Sequence, residues 1–397
     1  SVVDFYLPQS LDQVHGGYLE ELGSAGSFSS GDSKFLVLQA RQLWLFSTLA
    51  EAGIRPQQTR AAADSGFQFL QAHFLDPTDG GYISRVKRDG TAEDTRKHVY
   101  LNSFALYGLV AYYRATNNPK VLDAAWELFD VLQAKAYDRE HGGYQEFFYA
   151  DWTPITDPGE PRYVGAIDTK TYNTHLHLLE AFTQLHRVSR KPRLANRLSE
   201  LMLINTRTVQ HPGHSCNIDG WSRDWTMIDE PSNLRASYGH DVECVWLVFD
   251  AARTMNIPIS TLRTWAVSVV EYSLSHGYDH QHGGFFYFGP LGQPASDRHK
   301  EWWVQSEALV SMLEMYQLTG EERYYEAFSG TLRFVTEHQV APGTGGWWAV
   351  RDADGAPLPN HSRTSAWQGG YHNGRALLRC SQLLDALADG RELAAGE

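Results

Sequence analysis

A glycine pair followed by an aromatic residue recurs along this chain and limits what it can fold into. "HGGY" stands at 15–18, "DGGY" at 79–82, "HGGY" at 141–144, "HGGF" at 282–285 and "TGGWW" at 344–348. The pairs begin at 16, 80, 142, 283 and 345, so successive gaps are 64, 62, 141 and 62 residues. One copy is missing from the middle, where "HPGHSCNIDGW" (211–221) keeps glycines and an aromatic but no pair. A second series of short breakers is interleaved: "AGIRP" (52–56), "TNNPK" (116–120), "SRKPR" (189–193), "NIPIS" (256–260) and "LTGEE" (318–322), with "LADGRE" closing the chain. Pro, Gly and Asn in such clusters end periodic segments.

Between breakers, "RAAADSGFQFLQAHF" and "KVLDAAWELFDVLQAKAY" repeat apolar residues at three and four, the helical spacing. Each unit therefore reads as helix, short turn, helix, long loop. Fixed-period units of this size stack on one another. Six such hairpins fill the chain, and the predicted fold is an all-α (α/α)6 barrel, a single catalytic domain over 1–397. An open solenoid would need polar caps, and neither end supplies one. The glycines permit turn angles closed to other residues. The aromatic then opens an extended segment ("GYQEFFYADW", "GFFYFGP") that should form a short β-hairpin over one barrel end. His15, His141 and His282 are accordingly expected to be turn and cap residues.

The unusual residues fall on the first helix of each unit. "LQARQLWLF" carries Arg41, "HVYLNSFALYGL" Tyr100, and "TYNTHLHLLEAF" Asn173, His175 and His177. "SYGHDVECVWLVFDAA" carries His240 and Glu243, "HKEWWVQSEALVSML" Trp302, Trp303 and Glu307, and "AWQGGYHNGRALLRC" Trp367 and His372. The second helices, such as "KPRLANRLSELMLINT", are charged on one face and apolar on the other, as a solvated outer ring should be. The first helices are then the inner ring, with their polar ends converging on one pocket.

Asn173 and His177 share a helix face. His175 and His177, two apart, diverge by about 200°, so "HLH" is a poor zinc motif and His175 is expected in the core. His240 and Glu243 are in reach of each other, so the acid is expected to orient the imidazole. One of Trp302 and Trp303 should pack, and Glu307 should pair with an arginine.

A net charge of −13 excludes nucleic acid as a partner. No apolar run approaches the ~20 residues of a membrane span. "SVVDFYLPQSLD" lacks the features of a secretory signal, and three scattered cysteines suit a reducing, cytoplasmic setting. Twelve tryptophans suit a pocket where flat apolar faces meet a polar ligand. No phosphate loop and no activated Ser or Cys accompany His177, His240 and His372. Imidazoles on two sides of a substrate suit removing a proton from one face and returning it from the other. Tryptophan faces with Asn and Arg donors suit a sugar, so the chemistry read from the residues is epimerisation next to a carbonyl.

"THLHLLEAF", "YGHDVECVWL", "KEWWVQSEAL" and "YHNGRALL" resemble the N-acylglucosamine 2-epimerase superfamily, and within it the cellobiose 2-epimerase branch, which "GHD" favours. The resemblance runs from "LQARQLWLFS" to "YHNGRALL". It implies the same barrel, chemistry without cofactor or metal, and a small sugar as partner of a monomer or homodimer. By resemblance His240 and His372 are the acid/base pair and His177 assists ring opening or shuttles protons. Arg41, Tyr100, Asn173, Trp303 and Trp367, with Glu243, are substrate contacts. The expected reaction interconverts glucose and mannose configurations at the reducing end of a β-1,4-linked disaccharide. A mannose 2-epimerase or mannose isomerase is the alternative. An inverting glycosidase would instead need two carboxylates, Glu243 and Glu307, roughly 6.5–9.5 Å apart. That glycosidase would leave three histidines unexplained, whereas a non-catalytic sugar- or protein-binding role predicts that His240→Ala and His372→Ala bind ligand normally and lose nothing else.

Overall fold

The computed structural model describes residues 1–22, 26–29, 31–359 and 361–391. In chain order its α-helices are α1 (Val2–Tyr6), α2 (Leu36–Glu51), α3 (Pro56–Phe69), α4 (Val99–Thr116), α5 (Pro119–Lys135) and α6 (Tyr172–Val188). They continue with α7 (Pro192–Leu203), α8 (Tyr238–Thr254), α9 (Arg263–Gly277), α10 (Trp302–Thr319), α11 (Glu322–Phe334) and α12 (Tyr371–Ala388). The even-numbered helices form the inner ring, each packed on the next, with α12 returning to α2. They are apolar nearly all round, the signature of a helix buried on every side. In α8 every residue except His240 is buried. Outer helices are one-sided: α7 buries only Leu194, Leu198, Leu201 and Met202, a single stripe. The breakers turn each inner helix into the following outer one, and Pro56, Pro119 and Pro192 open outer helices where a missing N–H costs nothing.

The expected order of six hairpins needs one correction. Five hairpins run inner to outer, but the sixth joins the two chain ends, inner α12 with outer α1. The glycine turns identify the pairing. Gly16 and Gly17 face Phe69 of α3, Gly80 faces Val131 of α5, Gly142 faces Glu200 of α7, and Gly283 faces Gly330 of α11. The last pair, Gly345 and Gly346, faces Ser1 and Phe5, so α1 holds the sixth outer place.

The repeated turn has a repeated anchor. Gly142 and Gly143 have φ of 72° and 68°, the left-handed region that side chains rarely adopt. The aromatics that follow, Tyr18, Tyr82, Tyr144, Phe285 and Trp347, are buried. Residue four of each of the first five inner helices accepts the N–H at the aromatic position. Gln39 receives Tyr18 at 2.9 Å, Asn102 receives Tyr82 at 2.8 Å, and His175 receives Tyr144 at 2.9 Å. Gln305 receives Phe285 at 2.8 Å, and in the degenerate fourth copy Asp241 receives Asn217 at 3.2 Å. Two residues ahead of four inner helices a lysine reaches back into the same turn. Lys34 bonds Asp12 at 3.0 Å, Lys97 Asp76 at 2.6 Å, Lys170 Asp138 at 3.1 Å and Lys300 Asp279 at 2.8 Å. Breaking one such buried pair leaves a charge uncompensated, at a cost of about 3–5 kcal/mol. These clamps set where each inner helix starts, and so where its first residues point.

The expected hairpins form, with a third strand added. Phe148 bridges Pro154 locally, while Phe147–Phe148 also pairs antiparallel with Lys97–His98, the strand leading into α4. Each hairpin thus stitches one unit to the unit before it, on the side where inner helices begin.

Candidate active site

A cavity of about 670 Å³ opens at the N-terminal ends of the inner helices. All nine residues singled out in the sequence line it: Arg41, Tyr100, Asn173, His177, His240, Glu243, Trp303, Trp367 and His372. His240 and His372 both contact one indole, the Trp303 ring lying 4.6 Å from the first and 5.8 Å from the second. Trp302 also lines the cavity, so neither tryptophan is only packing. His175 is turned away as expected, bonded to Tyr144 N and Thr171 O.

The imidazoles of His177, His240 and His372 are each held at Nδ1, which leaves Nε2 as the reactive atom. His372 Nδ1 lies 2.6 Å from Glu307 Oε1, His177 Nδ1 2.9 Å from Glu180 Oε2, and His240 Nδ1 2.7 Å from Ser237 Oγ. An ionised carboxylate only accepts, so beside Glu180 and Glu307 the proton sits on Nδ1 and Nε2 carries a lone pair. A serine hydroxyl both donates and accepts, so His240 is free to take either tautomer.

The expected His240–Glu243 contact does not form. Helix geometry puts Glu243 in reach, but a buried carboxylate gains more from a full positive charge. Its Oε1 accepts from Arg375 Nη2 at 2.9 Å, and the same nitrogen donates to Glu307 Oε1 at 2.8 Å. Arg375 Nη1 donates to Glu180 and to the Tyr371 hydroxyl. Glu307, expected to pair with an arginine, does so and also accepts from Trp246 Nε1 at 2.9 Å. One guanidinium therefore balances three carboxylates, two of which hold cavity histidines.

Glu243, Glu307 and His372 present atoms within 4.8 Å of one another, a spacing that suits a cation. Arg375 already supplies the positive charge between the two carboxylates. The same closeness places the acids nearer than an inverting glycosidase needs.

Burial sets the charge states. It lowers His240 to about 3, with the His177 charge adding to the effect. His372 is driven well below its ordinary value by burial, then by Arg41 and Arg375. His177 is lowered by burial against the opposing pull of Glu180. Burial raises Glu180, but Arg375, His177 and Tyr371 outweigh it and hold the acid at about 2. Burial and then the Glu307 charge push Glu243 well up. Burial thus disfavours positive charge on these imidazoles, while the nearby Glu307 charge works the other way for His240 and favours a proton there.

Five buried polar atoms of the lining have no protein partner: Arg41 Nε, Asn173 Oδ1, Glu243 Oε2, Trp302 Nε1 and Gln368 Oε1. Burying such groups is costly unless something bonds them, so they define a mixed donor and acceptor surface for a ligand. Arg41 is itself fixed, donating to Trp367 O at 2.7 Å and Tyr100 Oη at 3.1 Å.

Sequence reasoning missed Ser237, Glu180, Tyr371 and Arg375. Three of them carried a readable signal. Glu180 is three beyond His177 and Arg375 three beyond His372, while Tyr371 precedes Arg375 by four. The Glu307–His372 contact joins two helices across the ring, where no local spacing could announce it.

The profile of the N-acylglucosamine 2-epimerase family matches residues 17–375. The chain belongs to that family. The cellobiose 2-epimerase of Bacteroides fragilis is 29% identical over 386 residues, covering 96% of this chain and 95% of its own. The structure of the cellobiose 2-epimerase from Spirochaeta thermophila superposes with a TM-score of 0.87 at 32% identity, covering 98% of this chain and 94% of that one. The D-mannose isomerase of Marinomonas mediterranea is 23% identical, covering 96% and 94%. The protein is thus an enzyme of the isomerase class, a sugar 2-epimerase.

Proposed function

We propose that the enzyme interconverts glucose and mannose configurations at C2 of the reducing-end unit of a β-1,4-linked disaccharide. The single observation that carries this reading is the pair of Nδ1-anchored imidazoles, His240 and His372, both beside Trp303 in one cavity. The cavity volume is ample for two sugar rings. Arg235, Tyr287, Glu301 and His361 also line it and offer polar contacts for a second ring. The cellobiose 2-epimerase relatives point the same way.

In this mechanism the sugar opens to its aldehyde, with His177 exchanging the ring-opening proton. The histidine pair holds one proton. The bare Nε2 removes the C2 proton, and the C2–H electrons move to C1–C2 as the aldehyde oxygen takes the charge of a cis-enediolate. Arg41 and the positive ends of the inner helices stabilise that anion. The protonated partner then gives its proton to C2 from the other face, and the aldehyde reforms with inverted C2. The positive charge has moved from one imidazole to the other, and the reverse reaction returns it.

Conversion of cellobiose in heavy water tests this. The expected product carries mannose configuration with deuterium at C2. Failure to turn over cellobiose, together with conversion of free mannose, favours the second reading, a mannose 2-epimerase or isomerase. The D-mannose isomerase relative supports that second reading, in which delivery of the proton to C1 instead of C2 yields a ketose.

A further inference from the structure

The inner helices enclose a second cavity, of about 290 Å³, at their C-terminal ends. Its walls include Thr48 late in α2, Arg114 late in α4, Arg187 late in α6 and Gln382 late in α12. Glu180 and Arg375 lie between the two cavities: they line this one, while Glu180 holds His177 and Arg375 bonds Glu307 on the catalytic side. We propose that this far cavity is a second binding site, built for a neutral polyhydroxylated molecule the size of one sugar ring.

Charge balance selects a neutral ligand. Helix C-termini carry partial negative charge, and several converge here. The four arginines answer that charge but are already matched: Arg114 with Glu51 at 2.9 Å, Arg187 with Asp250 at 2.7 Å, Arg379 with Glu314 at 3.1 Å, and Arg375 with its three acids. An anion would meet those carboxylates and the helix ends, and a cation would meet the guanidinium groups. Hydroxyls suit the site. The Nε atoms of Arg187 and of the buried Arg375 have no protein partner, and the side chain of Gln382 adds a donor and an acceptor, while Gln184 holds Arg114 and Arg187 in the wall. Trp44 and Tyr107, stacked at 5.6 Å, offer an aromatic wall for the C–H face of a ring. At about 290 Å³ the cavity stands at the lower end of small-molecule sites, roughly 300–1,000 Å³, which suits a ligand of one ring.

The test uses the full chain labelled with 5-fluorotryptophan, titrated with methyl α-D-glucoside, whose blocked anomeric carbon prevents turnover. Trp44→Phe and Trp303→Phe assign one fluorine signal to each cavity. The Trp44 signal is expected to shift saturably with the glucoside and to ignore inorganic phosphate. Gln382→Leu, at an exposed side chain, should weaken that shift about tenfold, the worth of one good hydrogen bond. Gln382→Ala provides a second variant should the first fold poorly. Arg41→Ala, which damages only the catalytic end, should leave the Trp44 titration intact. No Trp44 shift, a shift lost with Arg41→Ala, or unweakened binding in both glutamine variants would overturn the site. A response to phosphate in place of the glucoside would overturn the ligand class. None of these readouts depends on the proposed reaction.

Discussion

The two walls that carry the paired histidines differ in kind. On α12, His372 sits in a charged lattice: Glu307 on its Nδ1, Arg375 one helical turn below, and Arg41 pushing its proton affinity down. On α8, His240 has a neutral hydroxyl behind it and an indole against its face. One imidazole is locked in orientation and tautomer, while the other is oriented but free to change tautomer. An epimerase must run in both directions, so its two bases need not be copies of each other. Each has only to deliver Nε2 to the same carbon.

The largest expected effect erases the comparison altogether. His240→Ala and His372→Ala should each lower kcat by about 10²–10⁴, the usual range for a positioned acid or base. Full turnover in either would remove that residue from the proton-transfer pair. Next comes Arg375→Met, which takes the buried positive partner away from Glu180, Glu243 and Glu307. It is expected to cost about 3–5 kcal/mol of stability, read as a lowered denaturation midpoint. A midpoint within error of wild type would show that the lattice on the α12 side is not held by that charge.

A finer contrast lies in the two partners. Glu307→Gln should depress kcat about 10²-fold, through loss of the fixed tautomer, with little change in KM. Ser237→Ala should cost less than about tenfold, the worth of one neutral hydrogen bond. Equal losses would mean that the walls are equivalent after all.

The smallest effect concerns a histidine outside the cavity. Burial holds His175 at about 3, so it is neutral when folded and gains a proton on unfolding below its ordinary value near 6.5. Its contribution is complete above that value and is lost as pH falls towards 3. His175→Gln installs the residue found at the same helix position as Gln39 and Gln305. Activity and midpoint at pH 7 should survive, while the acid-side decline in stability becomes shallower by about 1.4 kcal/mol per pH unit. An unchanged slope would mean that His175 is not the group being titrated.

The barrel was legible because two periods, one of glycine turns and one of breakers, run through the whole chain. The cavity residues were legible because polar and aromatic side chains at the start of otherwise apolar helices have few other places to go. What stayed hidden is the layer beneath. Helix spacing says that Glu243 can reach His240, but not that Arg375 competes for it and wins. The Glu180–Arg375 bond joins positions 195 residues apart, and contacts across a ring leave no trace in any local pattern. The sixth outer helix was misplaced for the same reason, since a linear reading has no means of joining its two ends.

That join has a consequence for how the molecule comes into being. Of the described helices α1 is made before the others and packs early on Phe28 and Arg55, yet another part of its seat, Gly345 and Gly346, is made only late. Until then the nascent chain is an unclosed arc, with α1 lacking that part of its seat. The same closing segment delivers His372, Tyr371 and Arg375 together. A ribosome that stalls before it leaves a protein with most of its helices and none of its proton traffic.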